Sequence, residues 1–457
     1  MKIDIIVVYE PRYMKGHARD FVPPVTGMYL AALTPNEHHV RLFHQQVDEI
    51  DRNSEADLIA LSFFSGFAEE GYRLADFFRS RGKLVIAGGP HVTFCAEEAL
   101  CHVDAVVVGE AESVWETLLN DAQRGKLSRK YEGEEIPLTG MPMPRYDLLS
   151  SRYFIPRVIQ ATRGCPCSCS FCTVPVLYSG LRVRPVDEVI REIQYNDFPH
   201  WWQRRIVWFW DDNLLVKRQW AKELLTRMIP LKKWWLTQAS IDIVNDPELL
   251  QLMKASGCIG IFLGIESFNP DSIEESNKKN NHVDTYKESV RVLHRHGIAV
   301  MGGMIAGFDN DTPEGILAME NCMAQIGVDV PFLSILTPFK GTPLYAQLER
   351  ENRLNRDRGW RFYNGYNAAF SPKKMTADQL TDAHRNLWKK VFSPAAVLRR
   401  MGRAIFQLHP GALLLSFMMN GFYGHKALTG NLPVDFSRKP DEMTDNVTMH
   451  RIPDMCP

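Results

Sequence analysis

The chain has 457 residues, with 53 Lys and Arg against 54 Asp and Glu and a formal net charge of −1. That balance, with no basic stripe, excludes a polyelectrolyte partner such as nucleic acid, and the length points to two or three domains rather than one small core. Nine cysteines are too few for a disulfide scaffold, and four of them stand between positions 165 and 172, which favours a reducing, cytoplasmic setting and a metal site over disulfides.

The opening run Met1-Lys2-Ile3-Asp4-Ile5-Ile6-Val7-Val8 reads as a strand, not as a secretory signal. Short β-branched runs recur at Ile3–Val8, Val40–Phe43, Leu58–Ser62, Leu84–Ala87 and Ala105–Val108, with helical stretches between most of them. This alternation predicts an α/β unit, a doubly wound parallel sheet with helices on both faces. Pro137, Pro142 and Pro144 make Glu132 to Arg145 read as a linker. The first domain is therefore expected over 1–135 and the linker over 136–153.

A second βα series is expected over 154–350. Its strand candidates are Val158–Ala161, Ile206–Trp210, Trp235–Ala239, Ile259–Gly264, Ala299–Ile305 and Phe332–Leu336. Asp246-Pro247 opens a helix that Gly257 closes, and Thr312-Pro313 opens another that Gly327 closes. Val186, Val189, Ile190 and Ile193 follow the spacing of a buried helix face. Six strands with intervening helices predict an incomplete or full β/α barrel, a partial (β/α)6 TIM-like form being the better fit, with chemistry at the C-terminal strand ends. Residues 351–457 lack strand alternation. Trp360, Phe362 and Tyr363 precede helices from about Thr376 onward, and the region reads as a helical cap. The apolar run Ala412 to Met419 is too short to span a bilayer. It is expected to be core, the alternatives being contact with a membrane surface or a greasy substrate.

The most informative segment is Arg163-Gly164-Cys165-Pro166-Cys167-Ser168-Cys169-Ser170-Phe171-Cys172. Cys165, Cys169 and Cys172 form a C-x3-C-x2-C pattern just after the first strand of the second series. Thiolates are the usual ligands of iron–sulfur clusters, and a cubane normally takes four; three from one loop leave an iron open for chemistry. A zinc site or buried thiols is the blander reading, but structural zinc prefers two separated pairs and no second C-x2-C exists. Cys167 is an extra thiol inside the loop, read as a bystander, the alternative being a different ligand set drawn from Cys165-x-Cys167-x-Cys169.

With an aromatic residue before its last cysteine, this motif resembles the radical S-adenosylmethionine (SAM) superfamily. The wider chain resembles its cobalamin-binding-domain subfamily, hopanoid-methylase-like and anaerobic-cyclase-like. The matching pieces are Ala87-Gly88-Gly89-Pro90-His91, Val108-Gly109-Glu110-Ala111-Glu112, Thr162 to Cys165, Asp211-Asp212-Asn213, Gly264-Ile265-Glu266-Ser267, Gly307 to Pro313 and Thr337 to Leu344, in family order. The resemblance implies a Rossmann-like cobalamin-binding-type domain, a partial radical SAM barrel and a C-terminal helical region. It implies a [4Fe–4S] cluster on the three cysteines, SAM on its open iron, and reductive release of a 5′-deoxyadenosyl radical. It places Phe171 near the adenine and Gly264, Glu266 and Ser267 along the nucleoside, and it makes Asp211 and Asp212 candidates for the methionine ammonium, where a carboxylate gives a charge-assisted hydrogen bond. A helix N-cap for Asp211-Asp212-Asn213 and a structural salt bridge for Glu266 remain equal alternatives.

The cobalamin half departs from the family pattern. Members that bind cobalamin through a histidine carry D-x-H-x-x-G after the second strand; here the stretch is Leu42-Phe43-His44-Gln45-Gln46-Val47. Without the Asp that orients a metal-binding imidazole, His44 reads as an ordinary polar residue. Ser62 and Gly88-Gly89 occupy the places of the nucleotide tail, where glycine lets a ligand approach the backbone; a tight turn alone also requires such glycines. The activity implied is methyl transfer to an unactivated carbon of a small-molecule, lipid-like or secondary-metabolite substrate, with an electron donor such as flavodoxin or ferredoxin. The rivals are a radical cyclase or rearrangement enzyme and a non-catalytic iron–sulfur or zinc binding module.

Overall fold

The structure is a computed structural model that describes residues 1–10, 22–430, 432, 433, 435 and 436. The first sheet contains β1 (Lys2–Val7), β2 (His39–His44), β3 (Leu58–Ser62), β4 (Leu84–Gly88), β5 (Ala105–Gly109) and β6 (Lys130–Gly133), in the order β2-β1-β3-β4-β5-β6. Every pairing is parallel. Both faces are covered, so the strands read as near-continuous apolar runs. Ile3, Ile5, Leu58, Ala60 and Ile86 pack under α1 (Val25–Leu33) and α3 (Trp115–Gln123). Ile6, Ile59, Leu61, Val85 and Ala87 pack under α2 (Ala68–Arg79) on the other face. Glu132 and Gly133, the start of the proline-bearing segment in the sequence, close the edge strand β6, inside the 1–135 expected for the first domain. Only Tyr131 of that strand is buried, so it carries no apolar run to announce it.

The second sheet has β7 (Val158–Ile159), β8 (Ile206–Phe209), β9 (Trp234–Ala239), β10 (Cys258–Glu266), β11 (Ala299–Ala306) and β12 (Val330–Ile335), each beside its sequence neighbour. All pairs are parallel. Among the described residues β7 and β12 do not pair, so the barrel is partial. Helices α4 (Val186–Gln194), α5 (Arg218–Met228), α6 (Pro247–Ser256), α7 (Tyr286–Arg295) and α8 (Pro313–Ile326) cover it. Asp246 caps α6 by accepting from Leu249 N at 3.0 Å, and Thr312 caps α8 by accepting from Gly315 N at 3.2 Å, which satisfies amides the first helical turn leaves unpaired.

Three further helices follow Thr376 among the described residues: α9 (Ala377–Val391), opened by a Thr376–Gln379 capping box, α10 (Pro394–Gln407) and α11 (Pro410–Leu428). The last two form a hairpin across the N-terminal ends of the barrel strands. His409 donates through Nε2 to the carbonyl of Cys258 at the start of β10 (2.9 Å), and Asn420 donates to the carbonyl of Asp329 just before β12 (2.8 Å). The run Ala412 to Met419 is split rather than wholly core: Ala412 and Ser416 are buried, whereas Leu414, Phe417 and Met418 face outward.

Candidate active site

The cysteine loop leaves the barrel through a two-stranded antiparallel ribbon that pairs Thr162–Arg163 with Arg182–Val183. Gly164 follows at φ +90°, and a Cβ there would lie 1.8 Å from the carbonyl oxygen of Gly180. No side chain fits, so the residue before Cys165 must be glycine.

The loop is braced from several strand ends. Ser170 N donates to the carbonyl of Ser276 (3.0 Å), and its carbonyl accepts from Leu344 N (2.9 Å). Asn277 Nδ2 donates to the carbonyl of Ser168 (2.8 Å). Asn213, beyond the end of β8, donates to Ser240 Oγ (2.7 Å) beyond the end of β9 and lies 3.9 Å from Cys165 Sγ. Phe171 meets Phe308 edge-on at 6.5 Å. The three cysteines therefore sit at the C-terminal end of the barrel, half-buried and outside any disulfide. A hydrogen bond from the Cys167 thiol pulls Cys165 down to about 6, while burial pushes Cys172 up to about 12.

Gly264, Glu266 and Ser267 are brought to the same end, but with local partners. Glu266 has φ +65°, at a register shift between β10 and β11, and it pairs with Lys278. A Cβ on Gly264 would lie 2.2 Å from both Glu266 Oε1 and Lys278 Nζ, so that glycine makes room for the ion pair. Burial pulls Lys278 down, but Glu266 more than offsets this and holds it above the ordinary lysine value. Ser267 Oγ accepts from Asn269 N at 3.0 Å. The sequence reading missed Lys278, Asn277 and Asn281. The last donates to the carbonyls of Gly264 (2.9 Å) and Ile265 (3.0 Å). The available signal was the polar run Asn277-Lys278-Lys279-Asn280-Asn281, too rich in asparagine for a helix.

Asp211 does not cap a helix, because α5 begins only at Arg218. Its Oδ1 accepts from Thr162 Oγ1 (2.7 Å) and Thr162 N, which fixes the root of the cysteine loop. It is 1 % exposed, and burial pushes it up to about 7; its Oδ2 has no hydrogen-bond partner. Asp212 is exposed beside it.

Ser62, Gly88 and Gly89 lie apart from these residues, at the C-terminal edge of the first sheet, where Ser62 pairs in register with Gly88. Gly89 has φ +97°, and its Cβ position is 3.0 Å from Ser62 Oγ. Nearby, Phe64 is 59 % exposed. His44 is buried with Nδ1 2.7 Å from the Tyr153 hydroxyl, and burial lowers it to about 4, so it is neutral and held by the linker.

The two sheets are joined beside the loop. Glu110, just past β5, contacts Arg163 (3.1 Å) and Arg182, while Glu112 contacts Arg163 (2.7 Å). The Val108-to-Glu112 motif thus grips the residue two positions before Cys165.

The chain matches the radical SAM superfamily over residues 159–322 and a domain of unknown function over 342–426. It is 33% identical over 374 residues to the bacteriochlorophyllide d C-12(1)-methyltransferase of Chlorobaculum tepidum, covering 80% of each chain. The chain belongs to the radical SAM superfamily. It is 29% identical over 413 residues to the hopanoid C-2 methylase of Rhodopseudomonas palustris, covering 85% of this chain and 76% of that one. Its fold matches the radical SAM methyltransferase TsrM from Kitasatospora setae, solved with cobalamin and a [4Fe–4S] cluster bound, at a TM-score of 0.66 and 14% identity, over 94% of this chain and 99% of that one. No helix among the described residues is long and apolar enough to cross a membrane.

Proposed function

We propose that this radical SAM enzyme is a cobalamin-dependent C-methyltransferase acting on an unactivated carbon of a lipid-like or secondary-metabolite substrate. The observation that carries the reading is the facing of two C-terminal strand edges. A three-cysteine loop tops the barrel, and the ion pairs of Glu110 and Glu112 with Arg163 and Arg182 hold it to the edge of a second parallel sheet. A ligand of an open parallel sheet binds at that edge.

Cys165, Cys169 and Cys172 would hold the cluster. Their soft donor set suits iron and sulfide, and the half-buried Lys278 ammonium that acts on Cys169 and Cys172 suits the negative charge of a thiolate-bound cluster. The orphaned, buried Oδ2 of Asp211 offers an acceptor at the loop root. Gly264, Glu266 and Ser267 line the approach for the nucleoside, with Phe171 against the adenine and Asp212 toward the ammonium. Ser62, Gly88 and Gly89, at the C-terminal edge of the first sheet, would take the cobalamin tail; His44, held by Tyr153, would leave the cobalt without a protein imidazole. When bound, the cluster and SAM supply a hydrogen-abstracting radical and cobalamin supplies the methyl group. The residues themselves bind, orient and exclude water. Two relatives are named for methylation of a bacteriochlorophyllide and of a hopanoid, which supports a lipid-like or secondary-metabolite substrate. A small one-electron donor such as flavodoxin or ferredoxin and a cytoplasmic setting complete the proposal.

The test is anaerobic reconstitution with iron, sulfide and cobalamin, followed by SAM carrying a deuterated methyl group and dithionite. Formation of 5′-deoxyadenosine that Cys169→Ala abolishes, and cobalt retained with the protein, are expected. Absence of the nucleoside removes the radical reading; nucleoside without cobalt or label in any product removes methyl transfer and favours cyclisation or rearrangement.

A further inference from the structure

The α10–α11 hairpin presents an apolar face that nothing covers among the described residues. On α10, Leu398, Ile405 and Phe406 are exposed, Phe406 to 90 %. On α11, Leu414, Phe417, Met418 and Leu428 are exposed. Each set follows helical spacing, while the opposite faces, with Ala396, Arg400 and Ala404 on α10 and Ala412, Ser416 and Asn420 on α11, are buried against the barrel foot. An exposed patch of large aliphatic and aromatic groups on two neighbouring helices is unusual for a face that meets only water.

Charge identifies the occupant. From Ser393 to Gly430 the sequence holds no Asp or Glu. Phe406 also forms one wall of a cleft of about 490 Å³ whose other walls include Lys254, Arg291, Arg295, His296 and His409. Among the described residues Glu288 pairs with Arg291 at 2.7 Å and Arg295 at 3.3 Å, and the buried Asp329 pairs with His294, a further wall residue, at 2.8 Å. A cation-lined cleft beside a ridge of Phe, Leu, Ile and Met is the composition of an interfacial surface on anionic lipid, whose acyl region takes the ridge and whose phosphates take the cations. A second copy docking by the same face would set two cation-lined clefts against each other.

We propose that the outward face of the α10–α11 hairpin seats on an anionic lipid bilayer, with lipid phosphate in the cleft beside Phe406. The hairpin crosses the N-terminal strand ends, so docking there leaves the cysteine-loop end clear for SAM and the electron donor. The proposal stands on the surface alone and does not depend on which reaction the loop performs.

The experiment is co-sedimentation of the full chain with vesicles of phosphatidylglycerol mixed with phosphatidylcholine, against phosphatidylcholine alone. The mixed vesicles are expected to bind the protein, and added salt to weaken binding. Phe406→Glu with Phe417→Glu is expected to weaken it at least ~100-fold, and Lys254→Gln or Arg295→Gln about fivefold each. All four side chains are exposed, and unchanged circular dichroism would confirm that folding is intact. No binding by the full chain, or binding that survives the double phenylalanine substitution, overturns the proposal. So does a solution dimer that the double substitution converts to monomer, which would assign the face to a second copy.

Discussion

Replacing Glu110 with Gln tests how firmly the cysteine loop is tied to the first sheet. The carboxylate is 6 % exposed and sits between Arg163, at 3.1 Å, and Arg182, whose Nη1 donates to its Oε2 at 3.0 Å; it also accepts from Ile136 N at 3.2 Å. Removing one partner of a buried ion pair costs about 3–5 kcal/mol, because the remaining charge stays desolvated. Here the loss is smaller, since Arg163 keeps Glu112 at 2.7 Å and Arg182 keeps Glu135 at 3.7 Å. We expect Glu110→Gln to lower the unfolding free energy by about 1.5–3 kcal/mol, read from the denaturant midpoint at constant m-value. The pH dependence adds a second readout. Burial alone would raise Glu110, but the two guanidiniums outweigh it and hold the carboxyl below its usual range. A depressed carboxyl contributes fully above its unfolded pKa, near 4.3, and loses that contribution as pH falls through the lower folded value. The variant should therefore fall behind the native chain above about pH 5 and converge with it in acid. A loss under about 0.5 kcal/mol, or a deficit that stays constant into acid, would refute the clamp.

Other substitutions probe the loop itself. Gly164→Ala must fit a Cβ 1.8 Å from the Gly180 carbonyl; iron bound after anaerobic reconstitution should fall several-fold. Cys167→Ser should retain that iron and Cys169→Ser should lose it, as measured by iron and acid-labile sulfide. Lys278→Met strands Glu266, which is 7 % exposed, and should cost about 3 kcal/mol in denaturant unfolding. Burial raises Asp211 to about 7, so the folded chain holds its proton more tightly than the unfolded chain. Stability from this group is present below about pH 4 and is lost as pH rises to about 7; Asp211→Asn should flatten that slope in denaturant titrations.

Most of the fold was legible because its strands are central. Ile59, Val85 and Val106 each have sheet neighbours on both sides and apolar cover, and such positions demand β-branched runs. The cysteine loop stood out because its thiols are close in sequence, and the fold places them together at the C-terminal end of the barrel. The edge strand β6 was not, since one half-solvated strand can be polar. The N-cap alternative for Asp211-Asp212-Asn213 failed because Leu214 and Leu215 are wholly buried and plug the core before α5 begins. Lys278 lay outside the reading because its partners, Glu266 and the cysteine loop, are distant in sequence, and long-range pairing leaves no periodic trace.

The Val108-to-Glu112 motif shows what a weak pattern can encode. Gly109 has φ +82°, and its Cβ would lie 2.4 Å from the carbonyl oxygen of Gly133; a Cβ on Gly133 would lie 1.9 Å from the carbonyl of Glu110. The two backbones touch where β5 and β6 end, and only paired glycines permit it. That contact fixes the path of the chain into Glu110, and Glu110 then meets Arg163 and Arg182, the two residues paired across the ribbon at the loop root. Each step is short and stiff: glycine on glycine, carboxylate on guanidinium, guanidinium side by side. The distance between the first sheet's edge and Cys165 is consequently set by covalent geometry and two buried ion pairs rather than by the long linker that joins the sheets. A reaction that must pass a group between ligands on two domains needs that kind of spacing, since misplacement by about 1 Å can cost ~100-fold in rate.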